Sequence, residues 1–119
     1  MTFASPFPDV DIPDVGVFDY LFGDVDQADL DRVALVDATT GTQTNYREMI
    51  DGIDAFAVAF AARGIGVGDV GGLLAPNSSM LAIAFYGIPR DGATFTTSER
   101  AYSTTEERYL ECAAAVCWY

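Results

Sequence analysis

The sequence predicts an α/β chain: an extended arm with a short helix, a β-hairpin, then a long helix and a βαβ unit with parallel strands. Two observations carry that reading. Over residues 46–63, Met49, Ile50, Ile53, Phe56, Ala57 and Phe60 recur with the helical period. Beyond them, two short β-type runs, 70–75 and 93–97, flank an apolar stretch at 80–88, which is the order strand, helix, strand.

Each element has its own local reason. Residues 1–15 are punctuated by Pro6, Pro8 and Pro13 and carry Asp9, Asp11 and Asp14, so they form an extended arm. Val17, Phe18, Leu21 and Phe22 fall at i, i+1, i+4 and i+5, one apolar face of a short helix that Gly23 can end. Residues 33–37 read as a strand, 38–42 as a turn containing Gly41, and 43–46 as the returning strand of a hairpin. In the long helix Arg47, Asp51 and Asp54 lie off the apolar face, and Gly64 is placed to cap the end. Pro76-Asn77-Ser78-Ser79 then turns the chain, with an Asn or Ser set to cap the next helix. That helix, 80–88, is apolar nearly all round and is expected to be buried. The strand at 93–97 is expected to run parallel to 70–75 through a right-handed crossover. Past Thr97 the pattern weakens. Thr104-Thr105-Glu106-Glu107 resembles a helix start, while 113–119 has no evident partner.

Composition narrows the chemistry. The chain has 119 residues, half of them hydrophobic, which suits a single small domain. Eighteen acids face six basic residues for a formal charge of −12, which argues against a nucleic-acid partner and against an anionic membrane surface. All six basic residues are Arg, and His is absent. These residues therefore contain no Ser-His-Asp or Cys-His couple and no His-ligated metal site. They also lack a phosphate-loop lysine and a Schiff-base lysine. Residues 1–8 carry neither the basic residue nor the apolar core of a secretory leader, and 53–62 and 80–88 are shorter than the about 20 residues of a membrane span. The expected location is cytoplasmic.

Three candidate motifs fail on their chemistry. Residues 24–31 carry four aspartates, but a calcium loop begun at Asp24 would meet Ala28, Asp29 and Leu35 where it needs an oxygen ligand, Gly and Glu. Gly66-Val67-Gly68-Asp69-Val70-Gly71 has the spacing of a dinucleotide loop, yet it leads from a helix into a strand, the reverse of what pyrophosphate binding needs. Cys112 and Cys117 match neither a redox nor a zinc spacing and read as small apolar fillers.

Several segments, in order, resemble one family. Ser5-Pro6-Phe7-Pro8-Asp9-Val10 and Phe18-Asp19-Tyr20-Leu21-Phe22 are similar to the start of AMP-forming acyl-CoA synthetases, particularly 4-coumarate–CoA and fatty-acid–CoA ligases. Thr44-Asn45-Tyr46-Arg47-Glu48-Met49 resembles the Thr/Ser-Tyr-x-Glu-Leu motif that opens a helix in adenylate-forming enzymes. Gly64-Ile65-Gly66-Val67-Gly68-Asp69-Val70, then Leu73-Leu74-Ala75-Pro76-Asn77-Ser78, resemble the family's helix exit, strand and Pro-Asn turn. Ile88-Pro89-Arg90-Asp91-Gly92-Ala93-Thr94 stands where a Leu-x-Ala-Gly-Ala motif belongs.

The resemblance implies the N-terminal part of the adenylate-forming large domain, with an incomplete sheet. It divides the chain into an arm (1–15), a family-like core (16–97) and a divergent tail (98–119). It also implies the family's ATP, Mg²⁺ and coenzyme A, and an acyl-adenylate on the way to acyl-CoA. No position here matches the family's phosphate loop ending Pro-Lys-Gly, its adenine and ribose motifs, or its catalytic lysine, so no catalytic, cofactor-binding or metal residue is carried over. The expected role is a ligase fragment inactive alone. The alternative is a small interaction module that self-associates or binds a ligase subunit through uncovered apolar surface. Two departures stand inside the match. Pro89 disfavours helix at Ile88, and Asp91 replaces a small residue beside a buried turn, where an unpaired carboxylate is costly.

Overall fold

The computed structural model describes residues 6–75, 77–97 and the strand at 115–118. Its elements are α1 (Val17–Phe22), β1 (Val33–Val36), β2 (Gln43–Asn45), α2 (Tyr46–Ala61), β3 (Val70–Leu74), α3 (Ser79–Arg90), β4 (Thr94–Thr97) and β5 (Ala115–Trp118). β1 and β2 form an antiparallel pair, and β4-β3-β5 form a second, all-parallel sheet. The predicted α/β order is the observed one from α1 through β4.

α1 has six residues, too few to persist on helical hydrogen bonds alone. It is held by its neighbours. Phe18 is buried, its ring tilted against Phe22 with centroids 5.4 Å apart, and Phe22 meets Tyr86 edge to face at 5.3 Å. The Arg90 guanidinium lies 4.2 Å from the Phe18 ring centroid and reaches Asp19 and Asp54, each at 3.2 Å. One side chain thus joins α1, α2 and α3. The expected four-residue apolar face is only half realised, because contact with α3 covers the i, i+4 pair Phe18 and Phe22 and leaves Val17 and Leu21 exposed.

The hairpin closes through Asp37. Its N–H donates to the Thr42 carbonyl at 2.9 Å, and its carbonyl accepts from Gly41 at 2.8 Å, where φ is +72°. α2 then starts with its free amides satisfied. Tyr46 and Arg47 donate to the carbonyls of Arg32 and Leu30, and Glu48 donates to the Asn45 side chain at 2.8 Å while its own carboxylate accepts from the Asn45 N–H. At the other end Gly64 (φ +80°) donates to Ala61 and Ile65 donates to Phe60, the paired bonds of a Schellman turn.

Two buried clusters share the α2–α3 crossing. Phe60, Leu73, Ala84, Ile88 and Ala93 lie toward the parallel sheet, and Phe18, Met49 and Ile53 lie toward α1 and the hairpin. Ile53 and Ile88 are fully buried, each contributing about 1.5–3 kcal/mol of apolar burial. Glycine permits the close approach. A Cβ on Gly52 would lie 2.9 Å from Ile83 Cδ1, and one on Gly87 would lie 2.8 Å from Phe56 Cδ1 and 3.0 Å from its Cβ.

Three expectations need correction. Pro89 disfavours helix at Ile88, yet Ile88 is helical and α3 runs to Arg90. Burial of Ile88 against Phe60 and Leu73 outweighs the one backbone bond that proline forfeits. Asp91 is exposed, so it carries no burial cost. The C-terminal residues, which lacked a partner in the sequence reading, include β5, parallel to β3 with Gly71 opposite Ala115 and Leu74 opposite Trp118. Cys117 belongs to that strand rather than to a helix; Cys112 and the helix start expected at Thr104 lie outside the described residues.

The crossing yields a prediction. Gly87→Val drives a branched side chain into the Phe56 ring root, which is not the free end of a flexible chain. The expected loss is about 2 kcal/mol or more, read as a lower urea midpoint at unchanged slope. An unchanged midpoint contradicts the packing described.

Candidate functional site

In open α/β sheets, ligands gather outside the carboxyl ends of the strands. Here that end is the exit of β3 through Ala75 to Asn77 and Ser78. Ser78 caps α3, its hydroxyl accepting from the Leu81 N–H at 3.3 Å. Two open hollows of about 290 Å³ each share Asn77 and Ser78. One lies between α3 and the hairpin and is walled by Leu35, Asp37, Thr39 and Ser79. The other is an apolar groove along α3, lined by Leu81, Ala82, Phe85 and Tyr86.

The charge in the first hollow is Asp37. Its carboxylate accepts from the N–H groups of Thr40 and Thr39, each at 2.9 Å, and these bonds hold its pKa below the ordinary carboxylate value. The described arginines are engaged elsewhere. Arg32 pairs with Asp29 at 2.9 Å, and that hydrogen bond and charge raise its already high pKa. Arg47 pairs with Asp31, Arg90 with Asp19 and Asp54, and Arg63 donates to the Ala59 carbonyl. Among the described residues, no arginine lines either hollow. An anionic carboxylate beside neutral hydroxyls and an amide suits a neutral polar group; it does not offset the charge of a polyphosphate.

The family-like segments occupy scaffold positions. Thr44 to Met49 forms the β2–α2 junction, where Asn45 and Glu48 make the capping box. The stretches 64–70, 73–78 and 88–94 meet around the βαβ unit, where the Asp69 carbonyl accepts from the Thr94 N–H at 2.9 Å. Within the glycine-rich stretch, the Asp69 carboxylate accepts from the Gly66 N–H at 3.0 Å, occupying an amide that a phosphate loop would present. The aspartates of 24–31 serve turns and ion pairs: Asp26 accepts from Ala28, Asp29 pairs with Arg32, and Asp31 with Arg47. The sequence reading missed the hollow beside Asp37. It joins residues about 40 positions apart, and no local pattern announces such a contact.

The fold and this scaffold describe part of an adenylate-forming domain, and the comparisons agree. Residues 22–116 match the family model described as AMP-binding enzyme. The chain belongs to that family. It is similar to 4-coumarate–CoA ligase 5 of Oryza sativa subsp. japonica, 36% identical over 110 residues, covering 87% of this chain and 19% of that protein. It is also similar to the probable CoA ligase CCL5 of Humulus lupulus, 33% identical over 67 residues, covering 56% of this chain and 12% of that protein. Thus the chain spans less than a fifth of the length of either relative. Among solved structures, apo MatB from Rhodopseudomonas palustris superposes with a TM-score of 0.74 at 26% identity, covering 82% of this chain and 19% of that one. Among the described residues, no helix is long and apolar enough to cross a membrane.

Two substitutions test the local chemistry. Asn45→Ala removes the side-chain acceptor of the capping box and should cost about 1 kcal/mol, whereas Asn45→Asp should retain most of it; equal losses in thermal denaturation would show that the cap contributes nothing. For Asp37, the lowered pKa means that its stabilisation is present above the unfolded carboxyl value of about 3.9 and is lost as pH falls through the folded value. Asp37→Asn should therefore flatten the decline of the thermal midpoint between neutral pH and about pH 2.5. An identical acid profile in both proteins would place the sensitivity in another group.

Proposed function

We propose that these 119 residues are the N-terminal scaffold of an ATP-dependent acid–CoA ligase and that they form no acyl-adenylate by themselves. The observation that supports this reading is the family match over residues 22–116. The rice relative's name, a 4-coumarate–CoA ligase, supports the ligase chemistry. In this reading a carboxylic acid is activated with ATP and Mg²⁺ and then passed to coenzyme A, as the family resemblance implies. The acid is of the aromatic or fatty type, and the protein works in the cytoplasm. Within this role the chain supplies α2, α3 and the parallel strands as a rigid seat. No lysine is present and the four described arginines are committed to their own contacts, so none of those four is set to neutralise the polyphosphate. The strongly acidic balance also supports a role without nucleic acid.

A second reading is a small interaction module that binds a full-length ligase or a second copy of itself. Exposed apolar side chains favour it, among them Val10, Ile12, Val36 and Val58. Co-purification with a ligase at fixed stoichiometry would support it.

The test is pyrophosphate release from ATP and Mg²⁺ with 4-coumarate or a medium-chain fatty acid, with and without coenzyme A. The purified 119-residue chain should show no acid-dependent release above the protein-free rate. Acid-dependent release that scales with the concentration of this chain would overturn the proposal and place a catalytic centre within it.

A further inference from the structure

We draw no further inference here: the strongest candidate, the open apolar groove along α3 lined by Leu81, Ala82, Phe85 and Tyr86, carries nothing because nothing in the structure shows what covers it.

Discussion

The crossing of α2 on α3 is the contact on which the other elements depend. Gly52 and Gly87 leave no side chain between the helices, so Ile83 and Phe56 fill the space directly. The two helices then act as one body with two apolar sides. Toward the sheet they present Phe60, Ala84 and Ile88, which seat on Leu73 of β3. Gly71 makes room there: a Cβ at that position would lie 3.2 Å from Ile88 Cγ2. Toward the hairpin they present Met49, Ile53 and Tyr86, against which α1 and Leu35 pack. A larger residue at Gly87 would separate the helices and loosen both clusters together, because each cluster draws side chains from both helices.

From that body the chemistry follows by subtraction. The described arginines are engaged by neighbouring groups, most visibly Arg90, which faces the Phe18 ring and two carboxylates at once. Exposed ion pairs of this kind are individually weak, but each fixes a cation away from the hollows beside Ser78. Among the described residues, what faces those hollows is one carboxylate, an amide, hydroxyls and apolar surface. Such a surface holds a fold in place and does not stabilise developing negative charge. The match to the AMP-binding enzyme family covers residues 22–116, which include both hollows and the helix crossing.

The elements legible in the sequence were those specified locally. Helical spacing at Met49, Ile53, Ala57 and Phe60 marked the buried side of α2, and Gly64 marked its end. Ser78 and the Pro-Asn turn marked the start of α3. Elements that depend on distant partners were not legible. β5 pairs with Gly71 to Leu74 of β3, and although Val116 and Trp118 favour strand, nothing within 115–118 names that distant partner. Pro89 stays helical because Ile88 is buried by residues far away in sequence, against its local preference. Val17 and Leu21 were expected on the buried side of α1, but that side is only as wide as its contact with α3. The hollow at Asp37 escaped notice for the same reason, since its two walls come from the hairpin and from the turn before α3.

If these residues serve as scaffold in an adenylate-forming domain, they should replace the corresponding residues of a working ligase. Grafting tests this most directly: residues 22–116 replace the corresponding segment of the rice 4-coumarate–CoA ligase 5, and pyrophosphate release is measured with 4-coumarate. The expected chimera unfolds cooperatively and retains acid-dependent release. A chimera that does not fold, or one that folds and releases nothing, would contradict the scaffold role.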